Sequence, residues 1–356
     1  MKIAIVFDGA SAIAAFPDLL ILDTVEAIER AIVEEGNTVT RIPVHPDGRW
    51  IERLRKGRFD LVFNMCEGVD GVAALEPSVI AVLELLGLPY TGNSSFTTGL
   101  CLRKHVVNTL LSEAGLPVPE FVAVRPGETV KSIGFPAICK PAAEDASIGI
   151  EQKSVVRTRR ALLSRLEAMH ERWNAVIVQR YVEGREVNVG VLGDQALPIA
   201  EIDFSGMPKG KWRIVSYRSK WETGSDEDIG TAPRCPADLA PELAEEIRRV
   251  ALQAWRAVGG HGYGRVDMRI DREGRPWILE VNPNPDIAPD AGLARMANAA
   301  GISYPRLIRA VCQAGVRRRI EVGDADRLWA LAFQLSGGVD PTLDADLFDS
   351  ARQAAS

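Results

Sequence analysis

The first apolar run, Ile3 to Phe7, is short and continuous, the pattern of a strand covered on both faces in a parallel sheet. A helix is predicted over Thr24 to Glu35, with apolar positions at Val25, Ile28, Ile32 and Val33. A second strand over Thr38 to Pro43 completes a β-α-β unit. Asp60 to Asn64 reads as another strand, Pro77 to Leu86 as another helix, and Pro89 to Gly92 as a further short strand. Residues 1–95 therefore form one open, Rossmann-like parallel sheet, with the loop Met65 to Gly71 at its carboxyl edge, where ligands of such sheets are bound. A helix from about Lys104 to Ala114 leads through Gly115-Leu116-Pro117-Val118-Pro119 into a second unit, 96–182. That unit holds Ala137 to Pro141, a small-residue loop from Ala142 to Gly149, a helix around Arg159 to Glu171, and a strand from Ala175 to Tyr181. A third unit, 183–318, carries a β-hairpin, Gly264 to Asp271 and Trp277 to Asn282, and a polar excursion between about Ser205 and Gly230. The tail, 319–356, is acidic and partly helical, with Leu328, Leu331, Ala332 and Leu335 at helical spacing; docking onto the body of the protein or a dimer mate is its default reading.

Composition narrows the function classes. The 356 residues are 46% apolar and 25% charged, enough for several packed units. A net charge of −6, with both signs interspersed and no basic run interleaved with aromatics, argues against a nucleic-acid partner. Five cysteines without C-x-x-C spacing fit a reducing compartment and give no sulfur ligands for a metal. The N-terminal apolar run is too brief for a signal segment or a spanning helix, so no membrane association and a cytoplasmic location are expected.

The hairpin carries the strongest chemistry. Strand alternation points Glu280 and Asn282 the same way, and Asp267 on the preceding strand can reach the space beside them. Oxygen ligands suit Mg²⁺ rather than Zn²⁺, although on its own such a hairpin is as readily solvated as ligating. Val266, Met268, Ile278, Leu279 and Val281 are expected to face the core and fix the register. Lys140, locked by Pro141, precedes the loop Glu144 to Gly149, whose backbone N–H groups and neighbouring ammonium make a recipe for holding a triphosphate. The G-x-x-x-x-G-K-[ST] pattern is absent, and a surface turn with a solvated lysine is the commoner reading of this loop alone. Val176 to Glu186 reads as a hinge, with backbone partners for an adenine ring and a carboxylate, Glu186, for ribose hydroxyls.

Taken in order, Lys104, Lys140, the small-residue loop, Gln179 to Glu186, and then Asp267, Glu280 and Asn282 resemble the ATP-grasp superfamily, most closely the D-alanine-D-alanine ligases. The similar stretches include Leu83 to Gly92, Phe135 to Pro141, Tyr181 to Glu186 and Tyr263 to Asp267, and the likeness covers residues 1–318. The resemblance implies an α/β, three-domain ATP-grasp architecture, with an N-terminal Rossmann-like sheet and α+β character in the ATP-grasp part. It implies that Lys104, Lys140 and Ser147 contact the ATP phosphates, that Gln179, Arg180, Tyr181 and Val182 line the adenine site, and that Glu186 binds ribose. Asp267, Glu280 and Asn282 would hold two Mg²⁺ ions, with Mn²⁺ as a substitute. Arg265 would stabilise the transferred phosphoryl group, and Lys220 would be the mobile-loop lysine that closes on the γ-phosphate. The implied reaction joins a small-molecule carboxylate to an amine through an acyl phosphate, releasing ADP and phosphate, and the implied assembly is a homodimer.

The substrate side departs from that family. Its first βα loop, Asp8 to Ala15, has no carboxylate in its second half to hold a substrate ammonium. The loop after the third strand has Asn64-Met65 and Val69-Asp70-Gly71 where the family has His-Gly and Glu-Asp-Gly, leaving Glu67 as a substitute. Past the metal residues stand Asn284 and Asp286, and an aspartate where the family keeps a small residue would repel a carboxylate and favour a cation or polyol. Trp221 either walls the acceptor pocket or anchors the excursion; His261 is read as a turn residue. D-alanyl-D-alanine is therefore not the expected product. A true D-alanine ligase, a ligase for a peptide or carrier-bound acceptor, and a nucleotide-binding scaffold without turnover are the competing readings.

Overall fold

The computed structural model describes residues 1–9, 19–130, 132–144 and 146–320. Most of the first βα loop and the predicted tail helix lie outside the described residues. Strands β1 (Lys2–Asp8), β2 (Thr38–Val44) and β3 (Leu61–Asn64) alternate with helices α1 (Leu19–Glu34) and α2 (Arg49–Gly57) and form a parallel sheet of order β2-β1-β3. Helices α3 (Glu76–Leu85), α4 (Ser95–Cys101) and α5 (Lys104–Glu113) lead to an antiparallel sheet of order β4-β7-β5-β6, built from β4 (Phe121–Val124), β5 (Ala137–Pro141), β6 (Val155–Val156) and β7 (Val176–Arg180), with α6 (Arg159–His170) before β7. The last sheet runs β11-β10-β8-β12-β13, with β9 beside β8. Its strands are β8 (Arg185–Leu192), β9 (Gln195–Ala196), β10 (Ala200–Asp203), β11 (Ala232–Arg234), β12 (Tyr263–Ile270) and β13 (Pro276–Asn282). Short helices α7 (Tyr217–Trp221) and α8 (Asp226–Ile229) lie in the polar excursion. Helices α9 (Pro241–Ala257), α10 (Gly292–Ala299) and α11 (Tyr304–Ile320) complete the order. A parallel sheet followed by two antiparallel sheets is an α/β architecture in three parts, as the resemblance implied.

Two expectations are corrected. Pro89 to Gly92 is not a strand: Tyr90 makes an isolated parallel bridge to Val62, and the chain then turns at Gly92. On α1, Val33 is 50% exposed while Ala31 is buried, because the core-facing stripe follows Val25, Ile28, Ala31 and Ile32.

The core crosses from one end of the chain to the other. Ile3, Ile5 and Phe7 of β1 share one buried cluster with Ile28 of α1, Tyr263 of β12, Leu293 and Met296 of α10, and Leu307 and Val311 of α11. Each fully buried aliphatic side chain contributes about 1.5–3 kcal/mol, so the parallel sheet and the last sheet are held together by apolar contact. The carboxyl edge of β1–β3 is thereby fixed against the polar face of the last sheet.

Candidate functional site

That polar face is set by register. On β12, Asp267 lies between Asn188 of β8 and Glu280 of β13, Arg265 lies between Gly190 and Asn282, and Arg269 lies beside Glu186. Val187, Val189, Val191, Val266, Met268, Ile270, Ile278 and Val281 point the other way into a buried cluster with α9. Strict alternation cannot do this on β13, because Ile278 and Glu280 are two apart and would share a face. The pairing shifts between Asp267 and Met268: Asp267 faces Glu280, but Met268 faces Ile278. Leu279 is the extra residue of this bulge and does not join the core cluster, contrary to the expectation from the sequence. The bulge changes phase, so that Glu280 and Asn282 reach the polar face while Ile278 and Val281 stay in the core.

The charges on this face are close and desolvated. Arg265 donates twice to Asp267, Nε to Oδ1 at 2.7 Å and Nη2 to Oδ2 at 2.8 Å, and Asn188 Nδ2 donates to Asp267 Oδ1 at 2.6 Å. Lys104, at the start of α5 and 8% exposed, brings its Nζ to 3.3 Å from Glu280 Oε2. Lys140 Nζ donates to Gln179 Oε1 at 3.3 Å. Burial would raise Glu280, but Lys104, Lys140, Arg265 and a hydrogen bond with Asp267 bring it down to about 2. Burial raises Asp267, and the Glu280 charge adds to the rise against the opposing pull of Arg265. Burial also pushes Lys140 below the ordinary lysine range, with Glu280 and Glu186 resisting and Lys104 and Arg269 assisting. Two adjoining carboxylates with an amide, Asn282, form an oxygen donor set that fits a hard divalent cation, and the two lysines fit an anionic phosphate chain.

The hinge lies next to this face. Gln179 Nε2 is buried with no partner among the described residues, an open donor that a nucleotide would satisfy. Tyr181 and Val182 follow in the hinge, and both are buried. Gly184 is required there: it sits at φ +155°, and a Cβ on it would lie 1.8 Å from the Ile270 carbonyl oxygen. Arg180 places its guanidinium 5.0 Å from the centre of the Trp277 ring, so the hinge presents the backbone of this residue and not its charge. Glu186 accepts from Arg269 Nε at 3.1 Å and Nη2 at 2.9 Å.

The excursion 205–230 is folded down onto the small-residue loop. Ala146 and Ser147 both adopt positive φ, +53° and +62°. Ser147 Oγ donates to the Val215 carbonyl at 3.0 Å, Tyr217 N to the Ile150 carbonyl at 2.9 Å, and Trp221 Nε1 to the Ala146 carbonyl at 2.9 Å. Trp221 thus contacts the phosphate-type loop, and Lys220 stands beside it with Nζ 5.3 Å from the indole centre. Gln152 exchanges hydrogen bonds with the Trp212 backbone, and its Nε2 also reaches Glu227 Oε2 at 3.2 Å. Glu227 is buried and also accepts from Ser216 and from Lys211 Nζ, the latter at 2.9 Å. Burial alone would raise Glu227, but the hydrogen bonds from Ser216, Lys211 and Gln152 hold it below the ordinary range.

This latch yields a prediction. A lowered native carboxyl stabilises the folded excursion at neutral pH and loses that contribution as pH falls through the lowered value. Glu227→Gln removes the charge at all pH values. A hydrogen bond to a charged group is worth about 1.5–3 kcal/mol, so tryptic cleavage within 205–230 should quicken about tenfold at neutral pH. Wild type should approach the variant on acidification. Equal cleavage rates at neutral pH would show that the latch lies elsewhere.

On the substrate side, Asn284 joins the parallel sheet to the last sheet. Its Nδ2 donates to the Cys66 carbonyl at 3.2 Å and to Glu76 Oε1 at 2.9 Å, and its Oδ1 accepts from Tyr263 Oη at 3.0 Å. Burial, with the charges of Glu67, Glu76 and Asp286, raises the Tyr263 hydroxyl, and the Asp286 charge also acts on Arg265 and Tyr304. Asp286 is exposed and accepts from Ala288 N at 2.9 Å. Glu67 is exposed as well. Asp8 is buried, and its carboxylate accepts from Asp70 N at 3.0 Å and Gly71 N at 2.9 Å, bracing the loop that carries Glu67.

Sequence reasoning missed Glu76, Asn188 and Arg269. Glu76-Pro77 at a helix start was a usable signal for the first. Two-residue alternation from Glu186 reaches Asn188, and from Arg265 through Asp267 it reaches Arg269, so both could have been placed on the polar face.

Residues 110–313 match the family described as D-ala D-ala ligase C-terminus. The D-alanine–D-alanine ligase of Gluconobacter oxydans is 33% identical over 315 residues, covering 86% of this chain and 96% of that protein. A Sinorhizobium fredii protein called y4sG is 31% identical over 263 residues, covering 72% of this chain and 75% of that one. In fold, the chain is similar to the D-alanine–D-alanine ligase from Bacillus anthracis complexed with ATP, with a TM-score of 0.73 at 23% identity over 91% of this chain and 100% of that one.

Proposed function

The chain belongs to the D-alanine–D-alanine ligase family of ATP-grasp enzymes, and from that premise we propose that it joins a small-molecule carboxylate other than D-alanine to an amine at the expense of ATP. The observation that carries this reading is a complete row of Arg265, Asp267, Glu280 and Asn282 with Lys104 and Lys140 beside it, next to an acceptor side lined by Asp286, Glu67 and Glu76. Lys104 and Lys140 bind the phosphates with the small-residue loop, Gln179 and the hinge take the adenine, and Glu186 takes the ribose. Asp267, Glu280 and Asn282 hold Mg²⁺, which neutralises charge on the phosphates when bound.

The substrate carboxylate attacks the γ-phosphorus, its oxygen forming the new P–O bond as the bond to ADP breaks. Arg265 is placed to stabilise the charge on the transferring group, and Lys220 to close over it from the excursion. The amine then attacks the acyl carbon of the acyl phosphate, loses a proton, and expels inorganic phosphate, leaving an amide. The folded excursion excludes water, which would otherwise hydrolyse the mixed anhydride.

The relatives' names favour a second reading, in which D-alanine is both donor and acceptor. ADP release measured over a panel of acids and amines separates the two. The acidic acceptor side is expected to give release with amines lacking a carboxylate, and D-alanine alone is expected to give at least tenfold less. Release with D-alanine alone at the highest rate in the panel would establish the second reading instead. Tight ATP binding with no release across the panel would favour a scaffold.

A further inference from the structure

Arg269 is 2% exposed, yet the phosphate and metal chemistry makes no use of it. Its described donors reach β8, the hinge and the excursion. Nε and Nη2 meet the same oxygen of Glu186, Oε2, while Nη1 donates to the Val182 carbonyl of the hinge at 2.9 Å. Nη2 also donates to the Arg213 carbonyl of the excursion, which accepts a second bond from Tyr181 Oη at 3.0 Å. The guanidinium lies 4.8 Å from the Tyr181 ring centre and 5.7 Å from that of Phe204. Glu186 Oε1 has no hydrogen bond among the described residues.

A planar fork explains this arrangement. Two donors on one carboxylate oxygen fix the plane of Glu186 and leave the other oxygen open, which a single ammonium donor cannot do while also holding two carbonyls. The same group ties the hinge, β8 and the excursion at one point. We propose that Arg269 is the positioning residue of the nucleotide site: it presents Glu186 Oε1 to the ribose hydroxyls and seats the excursion over the bound nucleotide through the Arg213 carbonyl. This rests on the ATP reading above and adds to it a coupling between ribose binding and closure.

The test uses the full chain and ADP as the probe. Calorimetric ADP affinity, ATP KM and kcat, and ADP protection of the 205–230 segment from trypsin are compared for wild type, Arg269→Lys, Arg269→Met and the charge-free double variant Arg269→Met with Glu186→Gln. The expected result is at least a tenfold loss of ADP affinity and a matching rise in ATP KM. kcat at saturating ATP should stay within about threefold, and ADP protection should be lost. Tyr181→Phe, which removes one donor to the Arg213 carbonyl, should weaken ADP protection in the same direction. A folded Arg269 variant that binds ADP as wild type does, or that loses kcat with KM unchanged, overturns the proposal. So does failure of every Arg269 variant to fold, which would assign the residue to the fold alone. If wild type itself binds no ADP, the ATP reading fails instead.

Discussion

Arg265→Ala should slow turnover by about a hundredfold or more while leaving nucleotide affinity within a few-fold of wild type. A group aimed at charge that develops only in the transition state contributes to kcat and not to ground-state binding, and removing one such donor costs about 2.7–4 kcal/mol of barrier. The structure adds a second cost. Arg265 is also the bidentate partner of Asp267, so its loss leaves a buried carboxylate with no cationic partner of its own, held by Asn188 and beside Glu280. Removing one member of a buried pair typically destabilises by about 3–5 kcal/mol, and the variant should therefore unfold at a lower temperature as well. Arg265→Lys separates the two effects: it should regain most of the stability and little of the rate, because an ammonium cannot reproduce the forked contact. Steady-state kinetics with thermal melts checks both parts, and near-normal turnover in Arg265→Ala would remove the residue from the reaction.

Glu280→Gln should be the more damaging change for metal dependence. Outer partners of metal ligands cost about 10–100-fold in metal affinity when removed, so a direct carboxylate ligand should cost at least as much, raising half-saturating Mg²⁺ by tenfold or more. Turnover at fixed Mg²⁺ should fall at least a hundredfold, since Lys104 and Lys140 also lose the charge they face. Titration of ADP release against Mg²⁺ distinguishes a metal ligand from a lysine partner: in the latter case excess Mg²⁺ would not restore any rate, and half-saturation would not move.

Much of this organisation was legible in the chain. The continuous apolar run Ile3 to Phe7 located β1, and two-residue alternation located the β12 and β13 hairpin with its carboxylates, because each pattern reports a local burial period. Lys104 and Lys140 were legible only as members of an ordered series, since no local pattern distinguishes them from solvated lysines. Local period could not reveal the bulge at Leu279, which depends on pairing across two strands, nor the pair of Arg269 with Glu186, which joins residues on different strands. It also misread Tyr90, where one bridge to Val62 stands in place of a strand, because Gly92 turns the chain before a ladder can form. The short strands β9 and β11 carry too few residues to show a period at all.

The phase change at Leu279 makes the spacing of β13 a question of parity. Ile278 and Val281 are an odd number of residues apart yet share the greasy side, and Glu280 and Asn282 belong to the wet one. Substitutions at Leu279 itself leave that count intact. Loss of that residue would leave Ile278 and Glu280 adjacent, where plain alternation already sets them on opposite faces, so the acids and the aliphatics would keep their sides and only the bulge would go. Chains descended from this one are thus free to vary both the identity of that residue and its presence, as long as Ile278 and Glu280 stay on opposite faces.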